Sequence, residues 1–205
     1  MTGERKRHTA AVLSLDFAEQ YGFYLKYHAH PVNQLVHVVF VPLLLGSALA
    51  ALAQWRVSLG GVKLDLGLIV AVAYALYYIV LSPLLGASAA LVMVLPLYLA
   101  GRALLLRAPD AQVVWSAFLV IQLLGWSAQF AAHEWLEKRR PALLDNLIQA
   151  FASAPLFVFV EVLAFLGLDQ GLRKRFQRPQ RARSTSRERR TPGGAKTPRR
   201  RMAHA

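Results

Sequence analysis

A chain of 205 residues supplies about one domain's worth of sequence, and a hydrophobic content of 56% is high for a soluble globular protein. The absence of cysteine excludes disulfides, thiolate metal sites and cysteine nucleophiles. The formal charge of +13 is concentrated near the C-terminus: residues 173–201 hold thirteen Lys or Arg against one acid, Glu188, which leaves the remainder almost neutral.

Along the chain, residues 1–10 are polar and expected to fray. Residues 12–28 place apolar side chains at roughly helical spacing and read as a short amphipathic, interfacial helix. Pro31 should end it, because proline disfavours helix at the preceding residue and has no N–H to donate. Residues 35–53 run almost without charge, close to the ~20 residues that cross a ~30 Å hydrocarbon layer. Trp55 and Arg56 follow, an aromatic and a cation suited to the membrane interface. A second apolar run covers 64–81 and a third 84–106, with Pro83 and Gly86 suited to a tight corner between them. Residues 113–132 make a fourth run, and 133–141 a short charged connection. Residues 142–168 are apolar again but interrupted by polar side chains. They read as one amphipathic helix and a further helix that is re-entrant or packed on the bundle. The Arg-, Pro-, Ser- and Thr-rich stretch from 170 onward reads as disordered.

The expected architecture is therefore all-α: a polytopic transmembrane bundle of about four spans with interfacial or re-entrant helices. It divides into a polar segment carrying the first histidines (1–34), a membrane domain (35–168) and a basic tail (169–205). No cleavable leader is apparent, and the first span would serve as its own address. Lys and Arg near the spans favour the cytoplasmic side. Arg5, Lys6 and Arg7, the Lys138–Arg140 cluster and the tail all satisfy that rule with four spans, which places both termini in the cytoplasm. The membrane would be the bacterial cytoplasmic membrane, or the endoplasmic reticulum in a eukaryote. Hanging from a membrane bundle, the tail is suited to anionic lipid headgroups or to anchoring the topology, ahead of nonspecific nucleic-acid binding, and no specific nucleic acid is expected as a partner.

Four spans also bring the residues around His28 and His37 to the same membrane face as His133. Of six histidines, His8 and His204 lie in the expected mobile ends. His28, His30 and His37 fall in one short stretch and His133 in another. Gln129, His133 and Glu137 are spaced i, i+4, i+8 and share a helix face, and Asn33 stands one turn before His37. Such a polar stripe at membrane depth is costly unless it faces a cavity or a partner. Converging imidazoles with a carboxylate suit a first-row metal such as Fe(II). Asn33 and Gln129 suit the orienting of a ligand imidazole. Glu161, apolar on both sides in sequence, should point into the bundle. Two other readings stay open from these residues: a noncatalytic lipid-binding or scaffolding protein whose histidines meet headgroups, and a small transporter using Glu161. The transporter reading wants polar groups in mid-span, and residues 64–106 offer almost none.

Tyr27-His28-x-x-Pro31-x-Asn33-x-x-x-His37-x-x-x-x-Pro42 resembles the opening signature of the fungal-type 2-hydroxy fatty acid dioxygenase family. Gln129-x-x-Ala132-His133-x-x-x-Glu137-x-x-x-Pro141-Ala142-Leu143 resembles its second signature, and Pro155-x-Phe157 followed by Glu161 its third. Ala132 stands where the family carries glycine, and Ala29-His30 where a polar pair is usual. The resemblance implies a membrane-bound, Fe(II)-dependent enzyme of fatty acid α-oxidation. With O2, such an enzyme shortens a long-chain 2-hydroxy fatty acid by one carbon. It implies His28, His37 and His133 as the essential histidines, with Glu137 a candidate further ligand and Asn33, Gln129 and Glu161 in supporting roles.

Overall fold

The computed structural model describes residues 15–108, 110–138 and 149–168. The expected frayed start, the start of the 142–168 segment and the basic tail lie outside the described residues.

Helix α1 covers Phe17–Tyr27, and Asp16 caps it by accepting from the backbone N–H of Ala18 at 2.8 Å and of Glu19 at 3.3 Å. Helix α2, Pro31–Leu52, starts four residues earlier than the first apolar run suggests. Pro31 opens this helix as well as following the previous one. At the first helical position its missing N–H costs nothing and its fixed φ is already helical. His30 caps the same helix through Nδ1, which accepts from Val32 N–H at 3.2 Å.

The chain is not purely helical. Strands β1 (Arg56–Leu59) and β2 (Val62–Asp65) form an antiparallel hairpin in which Leu59 faces Val62, leaving Gly60 and Gly61 as the turn. Both glycines have positive φ, 57° and 85°, as a tight two-residue hairpin turn requires. Helix α3 follows at Leu66–Leu81, with Asp65 Oδ1 accepting from Leu68 N–H at 2.7 Å. The hairpin takes the first residues of the expected second span, so α3 has sixteen residues. At ~1.5 Å per residue it is some ~24 Å long, short of a ~30 Å hydrocarbon layer.

Helix α4, Pro83–Arg107, turns sharply from α3: a Cβ on Gly86 would overlap the Tyr78 carbonyl. A π-helical turn at Ala90–Val94 precedes Pro96, whose ring leaves one ladder bond unmade. Helix α5, Ala111–Glu137, is capped by Asp110 and widens into a π turn over His133–Glu137. Helix α6 is Ala154–Phe165. Among the described residues, α2, α4 and α5 are each long and apolar enough to cross a membrane.

Helices α2 to α5 alternate in direction. Trp55 at the end of α2 meets Trp115 at the start of α5 with ring centroids 5.6 Å apart, while His37 and His133 meet at the other ends. Gly67 at the start of α3 lies against Leu49 and Ala53, and Gly101 late in α4 lies against Ala50. Close approach at small residues such as Gly101 and Ala50 lets α2 and α4 pack side by side. Leu49, Tyr78, Val94 and Leu156 join α2, α3, α4 and α6 in one core. Helix α6 packs on the bundle, with Pro155–Glu161 buried. Tyr21, Tyr24 and Phe157 clamp α1 onto it.

Candidate metal centre

Three elements each deliver one imidazole to the same buried spot. His28 follows the last turn of α1, His37 lies in the second turn of α2, and His133 begins the π turn of α5. They are 6%, 5% and 3% exposed. Their ring centroids are 4.3 Å (His28–His37), 4.8 Å (His28–His133) and 5.0 Å (His37–His133) apart, and the rings cross at 76–84°. One nitrogen from each can be chosen so that all three lie within 4.8 Å of one another.

The backbone decides which nitrogens are available. His28 Nδ1 lies 3.0 Å from the Tyr24 carbonyl and His37 Nδ1 2.9 Å from the Asn33 carbonyl. A carbonyl only accepts, so both Nδ1 atoms carry the proton and both Nε2 atoms keep a lone pair. His28 Nε2 and His133 Nδ1 are buried with no hydrogen-bond partner among the described residues. Burial first, and then the neighbouring His37 and His133, hold His28 well below the usual histidine range of 6.5, so it is neutral at pH 7. The Tyr24 ring covers one of its faces at 3.9 Å. Neutral, buried imidazoles with unpaired lone pairs are what a divalent cation needs and what a protein interior otherwise penalises. The three residues therefore fit a metal ion.

Supporting groups tie the loop around His28 to the far end of α5. Glu137 Oε1 accepts from His30 N–H at 2.8 Å and from Asn33 Nδ2 at 3.0 Å. Asn33 Nδ2 also reaches the Tyr27 carbonyl at 3.3 Å, and Gln34 Nε2 donates to the His28 carbonyl at 2.7 Å.

Several expected residues act differently from their spacing. Glu137 is not grouped with the three histidines; its carboxylate receives the two donors just named. Glu137 closes the π turn that begins at His133, and its carboxylate meets the start of α2. Asn33 orients His37 through its main-chain carbonyl, not its amide. The Gln129 amide donates to the Gly125 carbonyl at 3.3 Å and lines the cavity described next. Glu161 is buried on α6 and is not among the cavity-lining residues. Tyr24 and Gln34 escaped the sequence reading. Nothing in sequence separates Gln34 from an ordinary surface glutamine in a first helical turn.

The triad borders a cavity of about 150 Å³. The other walls are apolar for the most part: Val41, Leu44, Leu45 and Ala48 from α2, Trp126 and Phe130 from α5, with Tyr74, Phe151 and Phe157.

A helical bundle with a buried three-histidine centre over an apolar cavity is the class of protein that the fold and site define. A family model described as "2-hydroxy-palmitic acid dioxygenase Mpo1-like" matches residues 14–166, and the chain belongs to that family. It is 34% identical over 153 residues to the 2-hydroxy-palmitic acid dioxygenase MPO1 of Saccharomyces cerevisiae, a match covering 75% of this chain and 83% of the relative. No solved structure matches it.

Proposed function

We propose that this protein is a multi-pass membrane enzyme that uses Fe(II) and O2 to shorten 2-hydroxy fatty acids by one carbon, with His28, His37 and His133 holding the metal. The observation that carries this reading is the triad: three buried imidazoles with lone pairs available at the head of an apolar cavity. The family's description and the relative's name support the same substrate class.

Bound iron supplies the one-electron chemistry that lets O2 react with a closed-shell acid. The chain's own residues do the rest. Tyr24 and Asn33 carbonyls fix the tautomers of His28 and His37, so two lone pairs face inward before any ion arrives. Glu137 and Asn33 hold the α1–α2 loop against α5. The apolar walls take the acyl chain, so that its polar carboxylate and hydroxyl stay beside the histidines at the membrane surface. Helix α3, lengthened at its start by the hairpin, serves as the fourth crossing, because α2 to α5 alternate in direction. The N-terminal segment and the tail then share the cytoplasmic side. The tail rests on anionic headgroups and takes no part in turnover.

The decisive experiment measures iron content and O2 uptake of the purified protein with a long-chain 2-hydroxy acid. Near-stoichiometric iron and substrate-dependent uptake, both lost in His133→Ala, are expected. A folded protein that takes up no iron under anaerobic Fe(II) loading defeats the proposal and leaves a noncatalytic bundle.

A further inference from the structure

On α2 and α5 the lining of the cavity below the triad reaches a common lowest level, its floor. On α2 its lining runs from His37 to Ala48 and on the antiparallel α5 from His133 back to Gln122, eleven residues in each case. At ~1.5 Å per residue both walls end ~16 Å below the histidines. At that level Gln122 Nε2 donates to the Leu44 carbonyl at 3.0 Å and to Ser47 Oγ at 3.1 Å, while its Oε1 accepts from Trp126 Nε1 at 3.0 Å. Both amide hydrogens and the carbonyl are thus engaged, and the side chain bridges α2 and α5 as a rigid tether. Gln122 is half-buried, and a polar group beside an otherwise apolar channel is stable there because all of its partners are present.

The geometry points to Gln122, with Ala48 beside it, as the stop that sets how long an acyl chain the cavity accepts. This rests on the reading that 2-hydroxy fatty acids occupy the cavity, and it assigns specificity to residues remote from the histidines. A tail longer than the distance to the Gln122 tether has no apolar volume to fill, and one shorter leaves part of the cavity empty. In either case discrimination comes from methylenes, each of which changes relative binding by roughly tenfold or more once it no longer fits.

The test uses the full chain in lipid nanodiscs and saturated 2-hydroxy acids of graded length. Two readouts are compared: thermal stabilisation of the metal-free protein, and O2 uptake of the iron-loaded protein. Gln122→Ala should move the chain-length cutoff to longer acids, Ala48→Phe should move it to shorter ones, and Gln122→Met, which keeps the length of the side chain, should leave it near that of the parent. The opposed variants guard against loss of folding in either one. A parent without a chain-length cutoff, or a cutoff unmoved in a folded Gln122→Ala or Ala48→Phe, overturns the inference. Cutoffs that move as stated in a protein that turns over none of the acids would sink the catalytic reading and leave the floor standing. Turnover with an unmoved cutoff does the reverse.

Discussion

A main-chain carbonyl does for His28 and His37 what a carboxylate does in many metal sites: it fixes the protonated nitrogen and aims the other. The side chains of Asn33 and Glu137 work one step further out. Replacing Glu137 by alanine strands the His30 N–H and leaves the Asn33 amide only its Tyr27 partner, loosening the loop that carries His28. Metal affinity is expected to fall about 10–100-fold, the range typical of lost outer-sphere support, with the thermal midpoint of the metal-free protein little changed. An unaltered affinity in a competition assay would show that the clamp is irrelevant to the centre. Protonation acts on the same residue pair. Because folded His28 resists a proton that the unfolded chain accepts near 6.5, the metal-free fold should lose stability as pH drops through that value. The loss continues until the folded imidazole itself titrates. Melting curves of the metal-free protein from neutral to mildly acidic pH would read this, and stability rising on acidification would contradict it.

At the scale of elements, helices were legible where apolar runs were long. Asp16, Asp65 and Asp110, none of them singled out as a cap from the sequence, each cap a helix. The hairpin was not read, although Arg56-Val-Ser-Leu-Gly-Gly-Val-Lys-Leu-Asp65 carries its signal, short alternating runs about a Gly-Gly pair. Its residues passed for the edge of a span because hydropathy alone does not separate strand from helix over so short a stretch. The π turn at His133–Glu137 was invisible for a different reason: its residues carry no pattern that separates it from an ordinary helical turn. That is why the three histidines could be picked out from their motifs while the position of Glu137 could not. Gly86 is the element-scale test. Adding a methyl there forces α4 away from the Tyr78 carbonyl, so Gly86→Ala should cost about 1–3 kcal/mol as overpacking does. A thermal midpoint equal to the parent's would show that the α3–α4 corner can relax.

For the molecule as a whole, the number of crossings fixes which ends share a side. The chain has no cysteine, so single-cysteine variants can be labelled without a background. Under four crossings Lys6→Cys, Lys138→Cys and Lys196→Cys should react with an impermeant maleimide from the cytoplasmic side. Lys63→Cys, in the hairpin, should react from the opposite side. Labelling of Lys63→Cys and Lys138→Cys from one side would require a different path. Truncation after Leu168 should leave iron content and O2 uptake intact; a folded but inactive truncation would give the tail a role in turnover.

The triad draws its members from the α1–α2 loop, from the first long helix and from the last of the antiparallel four, so a bound ion would fasten the opening of the bundle to its close. His28 and His37 are made early in synthesis, but they gain their third partner only once α5 is in place. Completion of the centre therefore reports that the four antiparallel helices have assembled. A clip across so long a loop restricts the unfolded chain far more than the folded one, and in a sequence without disulfides it would be the covalent-like staple the bundle otherwise lacks.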